Sequence, residues 1–206
     1  MINLIYIHIN LKMKKVLDVV SIYSKTSKCK MKTFRQYIEF IDDKSKHLEF
    51  LVLNELNKLG LEYFIYEHPP LRTVEESKAL RGEMHGGHTK NLFLRDKKKK
   101  NYLITVNENQ KIDLKFLESE LSSGRLSFGS PERLSQFLGV KPGAVSPLAL
   151  LNDKHNDVAF FIDHNLLSEN ILNFHPLVNH LTVSIKVTDF KYFLKSQNKF
   201  YNEIYF

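Results

Sequence analysis

A chain of 206 residues with 43% hydrophobic residues and a net charge of +7 is long enough for one domain with a substantial core. No apolar run approaches the ~20 residues that a membrane-spanning helix needs, so we expect no membrane partner. The positive charge favours a polyanionic partner, although a lysine-rich composition alone would give the same excess. Cys29 is the single cysteine, which excludes an internal disulfide and fits a cytoplasmic protein.

Residues 1–43 are predicted to form an N-terminal extension that is partly helical or disordered. Up to Ile38 the only acidic residue is Asp18, whereas lysines recur from Lys12 to Lys32. A secretory signal is not expected, because the stretch lacks a basic start and a cleavage site; a transit peptide and an over-called start remain alternatives. We expect the folded domain to span residues 44–198 and a tail to follow at 199–206.

The first predicted elements are a helix, a strand and a second helix. Leucines at helical spacing predict a helix over 48–59, with Gly60 as its C-terminal cap. Aromatic and β-branched residues predict a strand over 61–67, before two prolines. Thr73 and Glu76 form a capping box, which predicts a short helix reaching Leu80.

The next segment reads as a hairpin, with strands over 89–95 and 102–106 around the lysine run 97–100. Ser130 and Pro131 predict the start of a helix that ends near Gly139. We also predict a helix over 113–121, strands over 145–151, 158–163, 171–174 and 181–187, and a closing amphipathic helix over 189–195. Strands and helices are mixed without a βαβ rhythm, which indicates an α+β fold with a mixed, curled β-sheet and surrounding helices.

Four segments carry a resemblance to a known family. They are Glu67-His68-Pro69-Pro70 with Thr73-Val74-Glu75-Glu76, His88–Asp96 (HTKNLFLRD), Gly143-Ala144-Val145-Ser146-Pro147, and Phe174-His175-Pro176-Leu177 with Asn179 and Thr182. In this order they resemble the YbaK-like family of aminoacyl-tRNA editing domains, over residues 48–195. That family includes the editing domain inserted into bacterial prolyl-tRNA synthetases and its free-standing relatives.

Within that family the chain is most similar to free-standing deacylases that remove alanine from proline tRNA. The resemblance implies a trans-editing hydrolase that cleaves the aminoacyl ester of mischarged alanyl-tRNA(Pro) with a positioned water. The implied partners are the 3′ aminoacyl end of mischarged tRNA and, as a candidate, prolyl-tRNA synthetase. Two alternatives stay open: a deacylase of the same fold for cysteine or serine on proline tRNA, and a non-catalytic tRNA-binding module.

The resemblance also implies the site residues. Catalytic roles fall to Lys90, Asn91 and Gly143, and substrate-binding roles to Thr73, Ala144, Val145, Ser146, Pro147, Phe174 and His175. Lys90 would hold a phosphate or ribose oxygen, or lie near the ester carbonyl. The alternative interpretation is that Lys90 is a solvated lysine at the start of a strand. Asn91 would hydrogen-bond the water or the ester, or be a turn residue. His175 would line the pocket or orient the water.

An aminoacyl ester is activated, so positioning and oxyanion stabilisation can supply most of the barrier reduction without a strong nucleophile. No cofactor is expected. No metal site is expected either, because His85 and His88 lack a third ligand at suitable spacing. The lysine run 97–100 would either contact tRNA phosphates or form a solvated turn.

Overall fold

The computed structural model describes residues 30–39, 47–70 and 84–206. The helices are α1 (Phe34–Ile38), α2 (Leu48–Lys58), α3 (Leu114–Glu120), α4 (Pro131–Leu138), α5 (His164–Leu167) and α6 (Val187–Ser196), with a 3-10 helix at Pro147–Asn152. The strands are β1 (Lys30–Lys32), β2 (Tyr63–Glu67), β3 (Gly87–Arg95), β4 (Asn101–Asn107), β5 (Ser127–Phe128), β6 (Val158–Asp163), β7 (Ile171–Phe174), β8 (Leu181–Lys186) and β9 (Tyr201–Ile204).

Within these residues nine strands form one sheet, in the order β1-β2-β8-β7-β3-β4-β6-β9, with β5 paired to β3 beside this path. The pairing is mixed, since β3 runs parallel to β7 and β6 runs parallel to both β4 and β9. The other pairs are antiparallel. This sheet and its surrounding helices confirm the predicted α+β class.

Local sequence signals set most of the element boundaries. The hairpin of β3 and β4 is confirmed, with Arg95 opposite Asn101 at the turn. Helix α4 begins at its Ser130 cap and ends at Gly139, whose φ of 66° is left-handed and therefore suits glycine. The helix predicted from Thr73 lies outside the described residues.

The strand predicted over 145–151 is wrong, because the structure has a 3-10 helix at Pro147–Asn152. The Ser146 side chain accepts a hydrogen bond from the Leu148 backbone N–H, and Pro147 sits at the first helical position. A serine cap and a proline with a preset φ begin a helical turn. The apolar run that follows could not distinguish a strand from a buried helical segment.

The packed structure extends beyond residues 44–198 at both ends. Upstream, β1 pairs with β2, and Tyr37 is buried and donates a hydrogen bond of 2.6 Å to the Glu49 carboxylate. Downstream, β9 pairs with β6 and buries Ile204. The sequence did not indicate the two strand pairings, because each joins strands that are distant in the chain.

Two hydrophobic clusters lie on opposite faces of β3 and β4. Phe93 and Leu103 belong to the main cluster, whereas Leu94 and Ile104 belong to the second one. Alternate side chains of a strand point to opposite faces, so each strand contributes to both clusters. No helix among the described residues is long and apolar enough to cross a membrane.

Candidate active site

Lys90 and Asn91 are neighbours on β3, so their side chains point to opposite faces of the sheet. Asn91 shares its face with Phe93, which packs in the main cluster. Lys90 shares its face with Leu94, which packs in the second cluster. The two residues that the resemblance groups together therefore do not face the same surroundings.

β3 and β7 run side by side just before Lys90 and His175. Their parallel pairs are Gly87 with Leu172 and His88 with Asn173, and the pairing ends two residues before Lys90 and two residues before His175. Lys90 is half-buried, and its ammonium donates a hydrogen bond to a backbone carbonyl, that of Gln110.

His175 directly follows β7 and is oriented by a backbone hydrogen bond. Its Nδ1 lies 2.7 Å from the Leu181 carbonyl oxygen, which can only accept, so Nδ1 carries the proton. Burial lowers the pKa of His175, and the nearby rings of His68 and His180 lower it further. The imidazole is therefore neutral at pH 7, and its Nε2 is the nitrogen with an available lone pair.

His68 lies next to His175, with the two ring centroids 6.0 Å apart. Its Nδ1 donates to the Pro69 carbonyl at 2.9 Å, and its Nε2 accepts from the Thr182 hydroxyl at 2.9 Å. Burial lowers the pKa of His68, and His180 lowers it further. The motifs contain His68 and Thr182, but only the pairing of β2 with β8 shows that they adjoin His175.

Asn173 joins the start of β3 to the end of β7. Its side-chain amide donates to the His85 carbonyl at 2.9 Å, and its backbone carbonyl accepts from the Thr89 hydroxyl at 2.9 Å. Gly86 has a φ of 97°, and a Cβ there would lie 2.6 Å from the Ile171 carbonyl oxygen. A side chain at position 86 would therefore disturb the approach of the two strands that carry Lys90 and His175.

Asn91 is engaged inside the protein. Its Oδ1 accepts a hydrogen bond of 2.7 Å from Thr105, which is fully buried and lies directly opposite on β4. This bond engages the amide oxygen and leaves the two amide N–H donors out, so the predicted contact with a water or an ester stays a prediction. The structure favours a role for Asn91 in holding β3 to β4.

The loop from Gly143 to Pro147 has one exposed end. Gly143 is exposed with a φ of 88°, in the left-handed region that favours glycine. Ala144 and Ser146 are buried, Pro147 begins the 3-10 helix, and Val145 is half-buried. Gly143 and Val145 are thus the positions at which this loop can present backbone or side-chain atoms to a ligand.

The remaining predicted residues are Phe174 and Thr73. Phe174 is 1% exposed and packs against Phe190, with ring centroids 4.7 Å apart, so its ring is part of the main core. Thr73 lies outside the described residues. The pocket contact that the resemblance assigns to Phe174 gains no support from this position.

Among residues 30–39, 47–70 and 84–206, no group of three His, Cys, Asp or Glu side chains could hold a metal ion. The Nε2 of His88 is hydrogen-bonded to the Met84 carbonyl at 2.8 Å. The expectation of a metal-free reaction stays a prediction.

A lysine ammonium, a neutral histidine and a backbone loop with a positive-φ glycine are groups suited to hydrolysis of an activated ester. A family model described as the aminoacyl-tRNA editing domain matches residues 68–193. The chain belongs to this family. Membership places it in the class of aminoacyl-tRNA deacylases, which are ester hydrolases, and mischarged tRNA is the substrate class.

Within this class, the chain is similar to proteins whose names refer to prolyl-tRNA or to prolyl-tRNA synthetase. The chain is 36% identical over 154 residues to the prolyl-tRNA editing protein ProX of Acetoanaerobium sticklandii, covering 74% of this chain and 94% of that protein. It is 37% identical over 146 residues to the prolyl-tRNA synthetase associated domain-containing protein 1 of Mus musculus, covering 68% and 86%.

A solved structure described as a candidate trans-editing enzyme for prolyl-tRNA synthetase shares the fold. Its TM-score is 0.57 at 18% identity, and the match covers 79% of this chain and 97% of that one. At this identity the likeness concerns the fold alone. The chain is therefore a member of the prolyl-tRNA editing group by sequence, and its architecture agrees with that membership.

Proposed function

We propose that the chain hydrolyses alanine from mischarged proline tRNA in trans, after release from prolyl-tRNA synthetase. The proposal is supported by the prolyl-tRNA editing relatives and by one structural observation: β3, which carries Lys90, pairs with β7, which ends directly before the neutral His175. A cation and a lone-pair nitrogen carried by neighbouring segments can act on the same ester. Prolyl-tRNA synthetase is part of the proposal as a partner that hands over the substrate.

In the proposed reaction a water molecule attacks the ester carbonyl carbon. The Nε2 of His175 accepts a hydrogen bond from this water and orients it, while Nδ1 stays bound to the Leu181 carbonyl. The Lys90 ammonium stabilises the negative charge that develops on the carbonyl oxygen. The bond to the ribose oxygen then breaks, that oxygen takes the proton given up by the attacking water, and the products are free alanine and intact tRNA.

The loop at Gly143 would contribute backbone N–H groups near the ester. Gly143 is exposed, and its left-handed φ turns the chain where a side chain would be strained. Discrimination against proline would come from the pocket, where one or two methylene groups are worth only ~1–3 kcal/mol. The amino-acid preference must therefore be measured rather than inferred from residue types.

A deacylation assay with alanine, cysteine, serine and proline esterified to the same proline tRNA tests the proposal. We expect rapid release of alanine and sparing of prolyl-tRNA. Preferential release of cysteine or serine would assign the same fold to another substrate. Absence of turnover with all four esters, together with retained RNA binding, would indicate a non-catalytic module.

A further inference from the structure

The edge of β3 that faces away from β4 is paired at both ends and unpaired in the middle. Strand β7 pairs with this edge at Gly87 and His88, and β5 pairs with it at Leu94 and Arg95. Between these two pairings, β3 has a strand partner on the β4 side alone in the part of the chain that the structure describes. The sheet therefore has a gap beside β3, and we refer to residues 89–93, which border it, as the open edge.

The residues at the two borders of the gap account for the end of each pairing. Pro176 follows two residues after β7 and has no backbone N–H, which disfavours an extension of the ladder along β3. On the other side β5 has only two residues. The N–H of Gly129 then donates to the Phe93 carbonyl at 2.9 Å, and Ser130 caps helix α4. Both neighbouring strands thus leave β3 at positions set by local sequence.

Hydrogen bonds at the two ends of the β3–β4 hairpin define which backbone groups point into the gap. The His88 carbonyl accepts from the Glu108 N–H at 2.9 Å, and the Asp96 N–H donates to the Lys100 carbonyl at 3.2 Å. Hydrogen-bonded positions alternate along an antiparallel pair, so the even-numbered residues of β3 bond to β4. The odd-numbered residues direct their N–H and C=O groups away from β4. The bond that the Phe93 carbonyl accepts from the β5 side agrees with this alternation.

Asn91 lies in the middle of the open edge, at an odd-numbered position. Its backbone N–H and C=O therefore both point into the gap, and neither makes a hydrogen bond to another described residue. Phe93 has its carbonyl engaged, and Thr89 directly follows the residues paired with β7. The Asn91 side chain is held by Thr105 at 2.7 Å, which fixes the backbone in this orientation. Asn91 is only half-buried, so a ligand can reach its backbone.

A free N–H and C=O on one side of a strand residue complement the same two groups of one other residue. Two such residues exchange both hydrogen bonds in a hydrogen-bonded antiparallel pair. An aminoacyl ester offers a donor and an acceptor at the equivalent places, namely its α-ammonium and its ester carbonyl oxygen. Neither group belongs to the amino-acid side chain. Asn91 can therefore hold an aminoacyl ester whichever side chain it carries.

We propose that the aminoacyl group of the substrate pairs with the backbone of Asn91 as a one-residue β-strand. Its α-ammonium donates to the Asn91 C=O, and its ester carbonyl oxygen accepts from the Asn91 N–H. This N–H is then a fixed donor to the oxygen that becomes negative when water attacks the ester. The inference rests on the proposed function for the identity of the ester. It gives the backbone of Asn91 a role that is separate from that of its side chain.

Amide hydrogen exchange measured by NMR tests this pairing without hydrolysis. In the free protein the unpaired N–H of Asn91 should exchange about tenfold faster or more than that of Leu92, which points to β4. The ligand is an acceptor-stem minihelix that ends in 3′-(L-alanylamino)-3′-deoxyadenosine, a stable amide analogue of the ester. It should slow the exchange of Asn91 by about tenfold or more and leave Leu92 unchanged.

A minihelix that carries a propionyl group instead of alanyl is the control ligand, because it lacks the α-ammonium. Loss of one charge-assisted hydrogen bond should weaken its binding by about tenfold or more. An Asn91 amide that exchanges as slowly as that of Leu92 in the free protein would overturn the proposal. So would an Asn91 amide that the alanyl minihelix does not protect at any concentration.

The second experiment replaces the N–H of residue 91 by an ester oxygen, through incorporation of the α-hydroxy acid that corresponds to asparagine. This change removes the donor and keeps the side chain with its bond to Thr105. We expect kcat for alanyl-tRNA(Pro) to fall by roughly 10²–10³-fold, as for the loss of one oxyanion donor. Thermal unfolding checks that the variant is folded.

The same replacement at Phe93 is the matched control and should retain the wild-type kcat. The N–H of Phe93 also points away from β4, but its carbonyl is already bound by Gly129. Each replacement weakens the carbonyl of the preceding residue, which bonds to β4, so this side effect is common to both variants. Equal kcat values for the two variants would overturn the proposal.

The pairing and the proposed function can fail separately. A wild type that hydrolyses no ester, but whose Asn91 amide is protected by the alanyl minihelix, would contradict the function and support the pairing. Full hydrolysis of alanyl-tRNA(Pro) by the protein with the ester oxygen at residue 91 would support the function and contradict the pairing.

Discussion

Two buried polar networks in this fold use similar groups in different ways. At the C-terminal segment, Lys199 is 9% exposed and donates to the Asp153 carbonyl and to Asn156. The Asp153 carboxylate accepts from the backbone N–H groups of Asp157 and Val158. At the ends of β2, β7 and β8, His175 has its Nδ1 bound to a carbonyl, and its Nε2 makes no hydrogen bond within the described residues.

The two networks differ in whether a charged partner faces the buried group. Burial lowers the pKa of Lys199, but the facing Asp153 raises it again and keeps the pair satisfied. Burial lowers the pKa of His175 without a facing carboxylate, so the ring stays neutral with a lone pair to offer. The buried Lys199–Asp153 pair therefore holds the C-terminal segment, whereas the buried His175 ring keeps Nε2 as a hydrogen-bond acceptor.

The largest expected effect is on turnover, in Lys90→Ala. Loss of a cation that stabilises an oxyanion lowers kcat by roughly 10²–10³-fold. Lys111→Ala, at an exposed lysine, is the matched control and should retain wild-type turnover. Single-turnover deacylation measures both, and thermal unfolding confirms that each variant is folded. Wild-type kcat in Lys90→Ala would reduce Lys90 to a structural residue.

Lys199→Met should mainly affect stability. Removing one partner of a buried ion pair typically costs about 3–5 kcal/mol, and the lower end applies because two backbone N–H groups still bind Asp153. Denaturant unfolding measures the free energy of unfolding, and deacylation at low temperature should remain near the wild-type rate. A stability loss below about 1 kcal/mol would show that the C-terminal segment is not anchored by this pair.

His175→Asn should reduce kcat by tens of fold while preserving the backbone bond, because an asparagine amide can still donate to the Leu181 carbonyl. The lone-pair acceptor is lost. General acid–base contacts contribute about 10²–10⁴-fold, so a water-orienting role is expected at or below the lower end. A KM change with unchanged kcat would instead make His175 a pocket wall.

The pH dependence follows from the lowered pKa of His175. An ordinary histidine has a pKa of about 6.5, so the neutral form persists in the folded protein below that value. Activity should be constant above about pH 6.5 and fall only as pH drops through the lowered pKa. The contribution of His175 to folding stability depends on pH in the same direction. It is fully present above about pH 6.5 and is lost as pH falls, because the unfolded chain binds the proton more tightly than the folded chain does.

The smallest expected effect is the loss of stability in Thr105→Val and Thr182→Val, each of which removes one buried threonine hydroxyl. Each change removes one hydrogen bond and costs about 1 kcal/mol of stability. Only Thr182 binds the ring beside His175, so only its variant should shift the pH profile of kcat. Identical pH profiles would exclude His68 and Thr182 from the positioning of His175.

Short-range signals in the sequence predicted much of this fold. The Ser130 cap, Gly139 and the β3–β4 hairpin are local features, and each was predicted because its cause lies within a few residues. The segment 145–151 was wrongly predicted to be a strand. Its continuous apolar run has no hydrophobic periodicity that would distinguish a buried strand from a helical turn. Lys90 and His175 were identified through motifs that resemble the editing family, and their roles stay predictions.

By itself the sequence determined the family, the helix caps and the basic turn, all of which depend on residue order over short spans. Tertiary structure decided which side chains share a face. Strand alternation places Asn91 against Thr105 and away from Lys90, and the parallel pairing of β3 with β7 brings the segments that carry Lys90 and His175 side by side. Packing of segments around the sheet also brings Lys199 to Asp153 and Tyr37 to Glu49. These pairings are long-range, because a sheet joins strands by hydrogen bonds that no local propensity specifies.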